Sequence, residues 1–172
     1  FINLEGTRPI LIEIQALVDK SMLPNPKRLT VGTDAQRLTM LLAILHRHVT
    51  LSTYDQDVFL NAVGGIKINE TASDLAVLIA IVSSMTNQAV SSKTAIFGEV
   101  GLGGEIRPVS RGQERIKEAS KLGFKRIIVP LKNKASDIPD VEIIGVDNLR
   151  DAVKVVFGSN RVKNDEQIYP DE

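Results

Sequence analysis

Between residues 10 and 18 the chain reads ILIEIQALV, with Ile10, Ile12, Ile14, Ala16 and Val18 alternating against more polar neighbours. A period of two is that of a half-buried strand. MLPNPKRLTVG (22–32) is turn-rich and then extended. LTMLLAILHRH (38–48) carries an apolar stripe at helical spacing, and Thr33 with Gln36 three residues later predicts a capping box at its start. VFLNAVGG (58–65) predicts a strand ending at a glycine pair. Thr71 and Asp74 repeat the capping-box form ahead of LAVLIAIVSSM (75–85), which is apolar nearly all round and so predicts a central, buried helix. TAIFGEVGLGGEIRPV (94–109) suits two strands joined by a glycine-rich turn. A third helix is expected after Pro108, with Ser110 as N-cap, Gln113 at the third position and Gly123 as its stop. KRIIVP and VEIIGV have the β-branched character of buried parallel strands. A last helix begins near Asp147, places Leu149, Ala152, Val153, Val156 and Phe157 on one face, and ends at Gly158. SNRVKNDEQIYPDE (159–172) has no apolar period and predicts a flexible tail. The pattern implies one mixed α/β (α+β) domain over 1–158 with about four helices.

Composition narrows the class. The 172 residues are 43% hydrophobic and 24% charged, as in a soluble globular domain. With no Cys, disulfides and thiolate metal sites are excluded, and a reducing compartment is implied. No apolar run approaches the roughly 18 residues of a membrane span and no signal peptide is evident, so a cytoplasmic location is expected. The chain opens on Phe1 rather than Met, which suggests a piece of a longer polypeptide. Formal net charge is zero, yet from Arg107 to Lys134 nine basic residues stand against two acidic ones, Glu114 and Glu118. Such a segment can present a basic face on a neutral molecule.

Candidate chemistry is sparse. His46 and His48, the only histidines, are two residues apart on a helix and point to different faces, so no metal site is expected. GEVGLGGE lacks GxxxxGK[ST] and runs into a strand rather than a helix, so it predicts a hairpin and no nucleotide site. Ser73 falls in the first turn of the buried helix, where backbone N–H groups could support an oxyanion. A serine there needs a base, and a desolvated lysine is the kind available to it.

EGTRPILIEIQALV, QRLTMLLAILHRH, DVFLNAVGGIKINETASDLAVLIAIVSS and FGEVGLGGEIRPVSRGQERIKEASKLGFKRIIVP together closely resemble the C-terminal domain of the bacterial RadA/Sms DNA-repair family. That domain is similar to the proteolytic domain of Lon protease. The resemblance covers roughly residues 2–158 and implies a Lon-protease-type fold with mixed sheets. Lon-type proteases carry their serine in D-G-P-S-A-G, against which this chain reads Glu70-Thr71-Ala72-Ser73-Asp74-Leu75. The lysine of their dyad lies in G-G-L-K-E-K, against which it reads Ser110-Arg111-Gly112-Gln113-Glu114-Arg115. Gln113 thus stands at the base position, and a neutral amide cannot take the serine proton. The resemblance implies a vestigial dyad, Ser73 and Gln113, in a domain that is not an enzyme. The alternative is a Ser-dependent peptidase with an atypical base, for which Lys67 is conceivable.

Further implications concern the parent protein. The family consists of a zinc finger, a RecA-like ATPase and this domain, acting as hexameric branch-migration motors in recombination and repair. ATP, Mg and Zn would then bind outside this chain, and none is expected here. The expected partners are other copies in a homo-oligomeric ring, DNA, and a RecA-type recombinase, without a membrane. The basic residues proposed for DNA are Lys27, Arg28, Arg37, Arg107, Arg111 and Arg115. Aromatics are only 4%, so contact to the backbone rather than base stacking is expected.

Overall fold

A computed structural model of the chain describes residues 1–158, so the expected tail at 159–172 lies outside the described residues. Over the described residues the fold is mixed α+β with four helices, as the pattern implied.

The alternation at 10–18 belongs to two elements rather than one. β1 (Ile2–Glu5) and β2 (Arg8–Leu11) form an antiparallel hairpin, and β3 (Ile14–Lys20) begins two residues beyond Ile12. The inward period survives the change, with Ile12 and Val18 both buried. What changes is the pairing partner, a backbone event that side-chain periodicity does not record. β3 lies at one edge of a sheet ordered β3, β5 (Gln56–Ala62), β4 (Arg28–Val31), antiparallel to β5, while β4 runs parallel to it. Leu17, Leu29 and Val31 sit on the other face of this sheet and remain exposed.

Helix α1 (Ala35–Val49) is capped one residue later than expected. Asp34, in extended conformation, accepts from Arg37 N, so the Thr33/Gln36 capping box is not formed. A carboxylate serves an N-cap as well as a hydroxyl and also complements the helix dipole. α2 (Asp74–Thr86) is the buried centre that its uniform apolarity required, packed on β3 and touching α1.

Three strands, not two, occupy 94–109. β6 (Thr94–Ile96) joins a fully parallel sheet with β9 (Arg126–Pro130) and β10 (Glu142–Val146), while β7 (Glu99–Val100) and β8 (Ile106–Arg107) make the glycine-turned hairpin. The chain swings from one sheet to the other at Gly98, where a Cβ would press on Ile106 at 3.2 Å and Pro130 at 3.3 Å. Ile127, Ile128 and Val129 have no exposed surface, as befits a parallel strand covered on both faces. α3 (Gly112–Lys121) and α4 (Leu149–Phe157) complete the domain, α4 being capped by Asn148, which accepts from Asp151 N at 2.9 Å.

Candidate functional site

Ser73 lies where three segments converge. Thr71–Ser73 form a single 3₁₀ turn that runs directly into α2. The strand-to-hairpin link is bonded across this turn, with Gly98 N donating to Ala72 O at 2.8 Å and Leu75 N to Gly98 O at 3.0 Å. Ser73 is buried, and its hydroxyl donates to Glu70 O at 3.1 Å. No basic side chain among the described residues is hydrogen-bonded to it.

The Thr71/Asp74 capping box is likewise not formed. Thr71 Oγ1 donates to Glu99 Oε2 at 2.8 Å, and Asp74 turns away from the helix start to accept from Val100 N at 3.0 Å and from Arg37. A 3₁₀ turn ahead of α2 removes the extended N-cap geometry that such a box needs. Asp74 and Arg37 are a pair in which burial of the carboxylate dominates. Burial pushes the Asp74 carboxyl up, while the guanidinium and Val100 N–H pull it the other way. The same bond raises Arg37.

A second pair closes the other side. Glu70 accepts from Leu4 N at 2.9 Å and from both terminal nitrogens of Arg115, at 2.8 and 2.7 Å. Arg115 also donates to Ile2 O at 2.7 Å and Ser110 O at 3.0 Å, and its guanidinium lies 5.9 Å from the Phe97 ring centroid. Its side chain is completely buried.

Gln113 is engaged elsewhere. Its Nε2 donates to Asn133 O at 2.6 Å, and Asn133 in turn brackets Val109 with two bonds. The capping box expected at α3 is therefore absent. Arg111 occupies the N-cap in left-handed conformation, with φ of 55° and no side-chain cap bond. Ser110 contributes only its carbonyl, to Arg115. A cavity of about 670 Å³ opens beside Ser73, lined also by Thr33, Arg37, Glu70 and Asp74, and exposed Lys67 lies on its wall.

The six basic residues proposed for DNA separate sharply. Arg115 is a correction: completely buried and paired with Glu70, it is closed to any phosphate in this fold. Arg28 directs its guanidinium onto the carbonyls of Lys27, Gln56 and Thr53. Arg37 is held by Asp74 and Val100 O. Arg111 pairs with Glu114 and donates to Thr7 O at 2.9 Å; the pairing raises Arg111 and lowers Glu114. Lys27 and Arg107 are exposed and make no salt bridge among the described residues. Five lysines of the basic segment that were not proposed, Lys117, Lys121, Lys125, Lys132 and Lys134, are exposed as well.

His46 is exposed, and His48 meets Leu102 O at 2.9 Å, tying the hairpin tip to the end of α1. Among the described residues, no group of three or more His, Cys, Asp or Glu is arranged to hold a metal ion. Among the described residues, no helix is long and apolar enough to cross a membrane.

Residues 39–133, more than half of the chain, match the family model described as subunit ChlI of Mg-chelatase. The chain belongs to that family. This ChlI-family domain is also similar to the DNA repair protein RadA of several bacteria. It is 56% identical over 154 residues to that of Pseudomonas aeruginosa, covering 89% of this chain and 34% of the relative. Against the Escherichia coli protein it is 56% identical over 152 residues, covering 88% and 33%. Against that of Bacillus subtilis the identity is 44% over 158 residues, covering 91% and 34%. The resemblance to RadA drawn from the sequence is thus borne out, and the chain spans about a third of the length of these relatives.

The pairs at the heart of this ChlI-family site, Glu70–Arg115 and Arg37–Asp74, join residues 45 and 37 positions apart, so no local motif announces them. One signal was present. Gly112, Arg115, Ile116 and Ala119 fall on one helical stripe and are all buried, which marks Arg115 as an inward residue.

Proposed function

We propose that this chain is the C-terminal, Lon-protease-like but non-catalytic domain of a RecA-like, ATP-driven repair and recombination motor. It would hold a homo-oligomeric ring together, hexameric by family resemblance, and contact DNA through phosphates. The observation that carries the non-catalytic part is the bonding of the vestigial dyad. The Ser73 hydroxyl donates its hydrogen bond to a backbone carbonyl, Gln113 is held by Asn133, and two ion pairs fill the surroundings. A nucleophile needs a base within hydrogen-bond reach.

The DNA part is supported by the exposed lysines and Arg107, a surface suited to sequence-independent backbone contact. Relatives named for DNA repair support the role of the parent protein. The parent's ATP, Mg and Zn would be bound outside this chain, and its partners would include a RecA-type recombinase in the cytoplasm.

One observation favours a second reading, a Ser-dependent peptidase with an atypical base: Lys67 and Ser73 line the same cavity. Peptide hydrolysis by the full-length assembly, wild type against Ser73→Ala, separates the two. No serine-dependent turnover is expected. Turnover abolished by the substitution would establish the peptidase.

A further inference from the structure

The stretch from Ile10 to Lys20 gives its backbone to different neighbours along its length. Phe1 and Ile12 exchange both bonds, Ile12 N to Phe1 O at 2.8 Å and Phe1 N to Ile12 O at 3.0 Å. Beyond them the odd residues face β5: Glu13 O accepts from Val63 N at 3.0 Å, and Ser21 N donates to Asp55 O at 2.9 Å. Alternate residues of an antiparallel strand point their polar groups to opposite sides. Ile14, Ala16 and Val18 therefore face away from β5, on the side that β1 occupies at Ile12. Val18 N is capped there by Ser84 Oγ at 2.9 Å, but among the described residues no strand pairs with Ile14 and Ala16 on that side, since β3 is an edge.

A groove of about 880 Å³ lies along this open edge. Phe1, Ile12, Ile14 and Ala16 line it, together with the small Ala76 and Ala80 of α2. Thr94 and Ile96 line it as well, and their strand, β6, is the edge of the parallel sheet. The start of β1 is buried at the same place. Phe1 is only 8% exposed, and burial pushes its amine down to about 6. Chain ends usually lie in solvent. A peptide N–H would make the same bond to Ile12 O without a charge to desolvate.

We propose that this groove seats the residues leading into Phe1 in the parent polypeptide, which prolong β1 antiparallel along β3. The second residue upstream exchanges both bonds with Ile14, and the fourth with Ala16. The β1–β2 hairpin and the three-stranded sheet thereby become continuous, and an open edge is covered. The proposal rests on the reading of the chain as one domain of a longer protein, but not on its DNA or protease part.

Amide hydrogen exchange tests it, comparing the chain as it stands with one extended by the residues encoded directly upstream. In the extended chain the Ile14 and Ala16 amides are expected to exchange at least about 100-fold more slowly, while Gln15 and Leu17, already facing β5, stay unchanged. A proline at the second upstream position cannot donate to Ile14 O, although its carbonyl can still accept from Ile14 N; the weakened pair is expected to lose part of the protection at Ile14. Equal, fast exchange in both chains overturns the proposal. Protection of the unextended chain that rises with its concentration also overturns it, assigning the groove to a second copy. The longer-protein reading is checked separately by the intact mass of the native protein, and a mass equal to that of this chain overturns both.

Discussion

The cations of this domain end in two opposite settings. Around Ser73, Arg115 and Arg37 are drawn onto carboxylates and backbone carbonyls, with Arg115 wholly inside the protein. Along α3 and on either side of β9, Lys117, Lys121, Lys125, Lys132 and Lys134 stand in solvent. Residue chemistry accounts for the division. A guanidinium presents five donors in a rigid fork and is weakly hydrated, so one side chain can satisfy several fixed acceptors at once. An ammonium is compact and strongly hydrated, and it keeps its water. Arg37 and Arg115 thus hold together the surroundings of Ser73, and the lysines are left to make the electrostatic surface. A third case stands between them. The Phe1 amine, bonded only to Ile12 O and with no carboxylate partner among the described residues, is a buried basic group whose charge is disfavoured by burial.

Removing one partner of the inner set has the largest expected effect. Arg115→Ala leaves Glu70 with Leu4 N alone, and breaking a buried pair costs about 3–5 kcal/mol. The lower end is expected because Glu70 keeps 25% of its side-chain surface exposed. Chemical denaturation measures the loss. Replacing both partners, Glu70→Gln with Arg115→Met, should recover most of it; no recovery would mean that the pair itself, rather than the stranded charge, holds the fold.

The unpartnered amine comes next. Its folded value, about 6, lies below the ordinary 8.0, so between these pH values the unfolded chain binds more protons. Stability contributed by the neutral amine is complete above pH 8 and is lost as pH falls toward 6. The expected span is roughly 2–3 kcal/mol, from two units at about 1.4 kcal/mol each. Thermal melts across this range, with and without Nα-acetylation, test it, and a pH dependence that survives acetylation would place its origin elsewhere.

The outer set should be silent in stability and visible only in binding. In the parent protein, Lys117→Ala and Lys121→Ala are expected to leave the melting temperature unchanged. Each is expected to weaken DNA binding and reduce its salt slope by about 1. Unchanged slopes would reduce the lysines to solvated surface.

Much of the fold was legible because burial imposes periodicity. Ile12 and Val18 are inward as the alternation required, α2 is buried as its uniform apolarity required, and Gly123, with φ of +88°, follows the end of α3. The caps were not legible. Thr33, Thr71 and Ser110 all had suitable spacing, yet Asp34 caps α1, a 3₁₀ turn leads into α2, and Arg111 opens α3. A local motif states what a side chain could bond, while distant groups such as Glu99, Val100 and Asn133 decide what it does bond.

The sequence alone determined the four helices and the central position of α2. Both follow from side-chain polarity and spacing within short windows. Only the tertiary structure decided that Ser73 donates to Glu70 O, that Arg115 is an internal ligand rather than a surface cation, and that Ile14 and Ala16 face an unfilled groove. Each of these depends on groups far apart in sequence, and on a backbone register that no local pattern encodes.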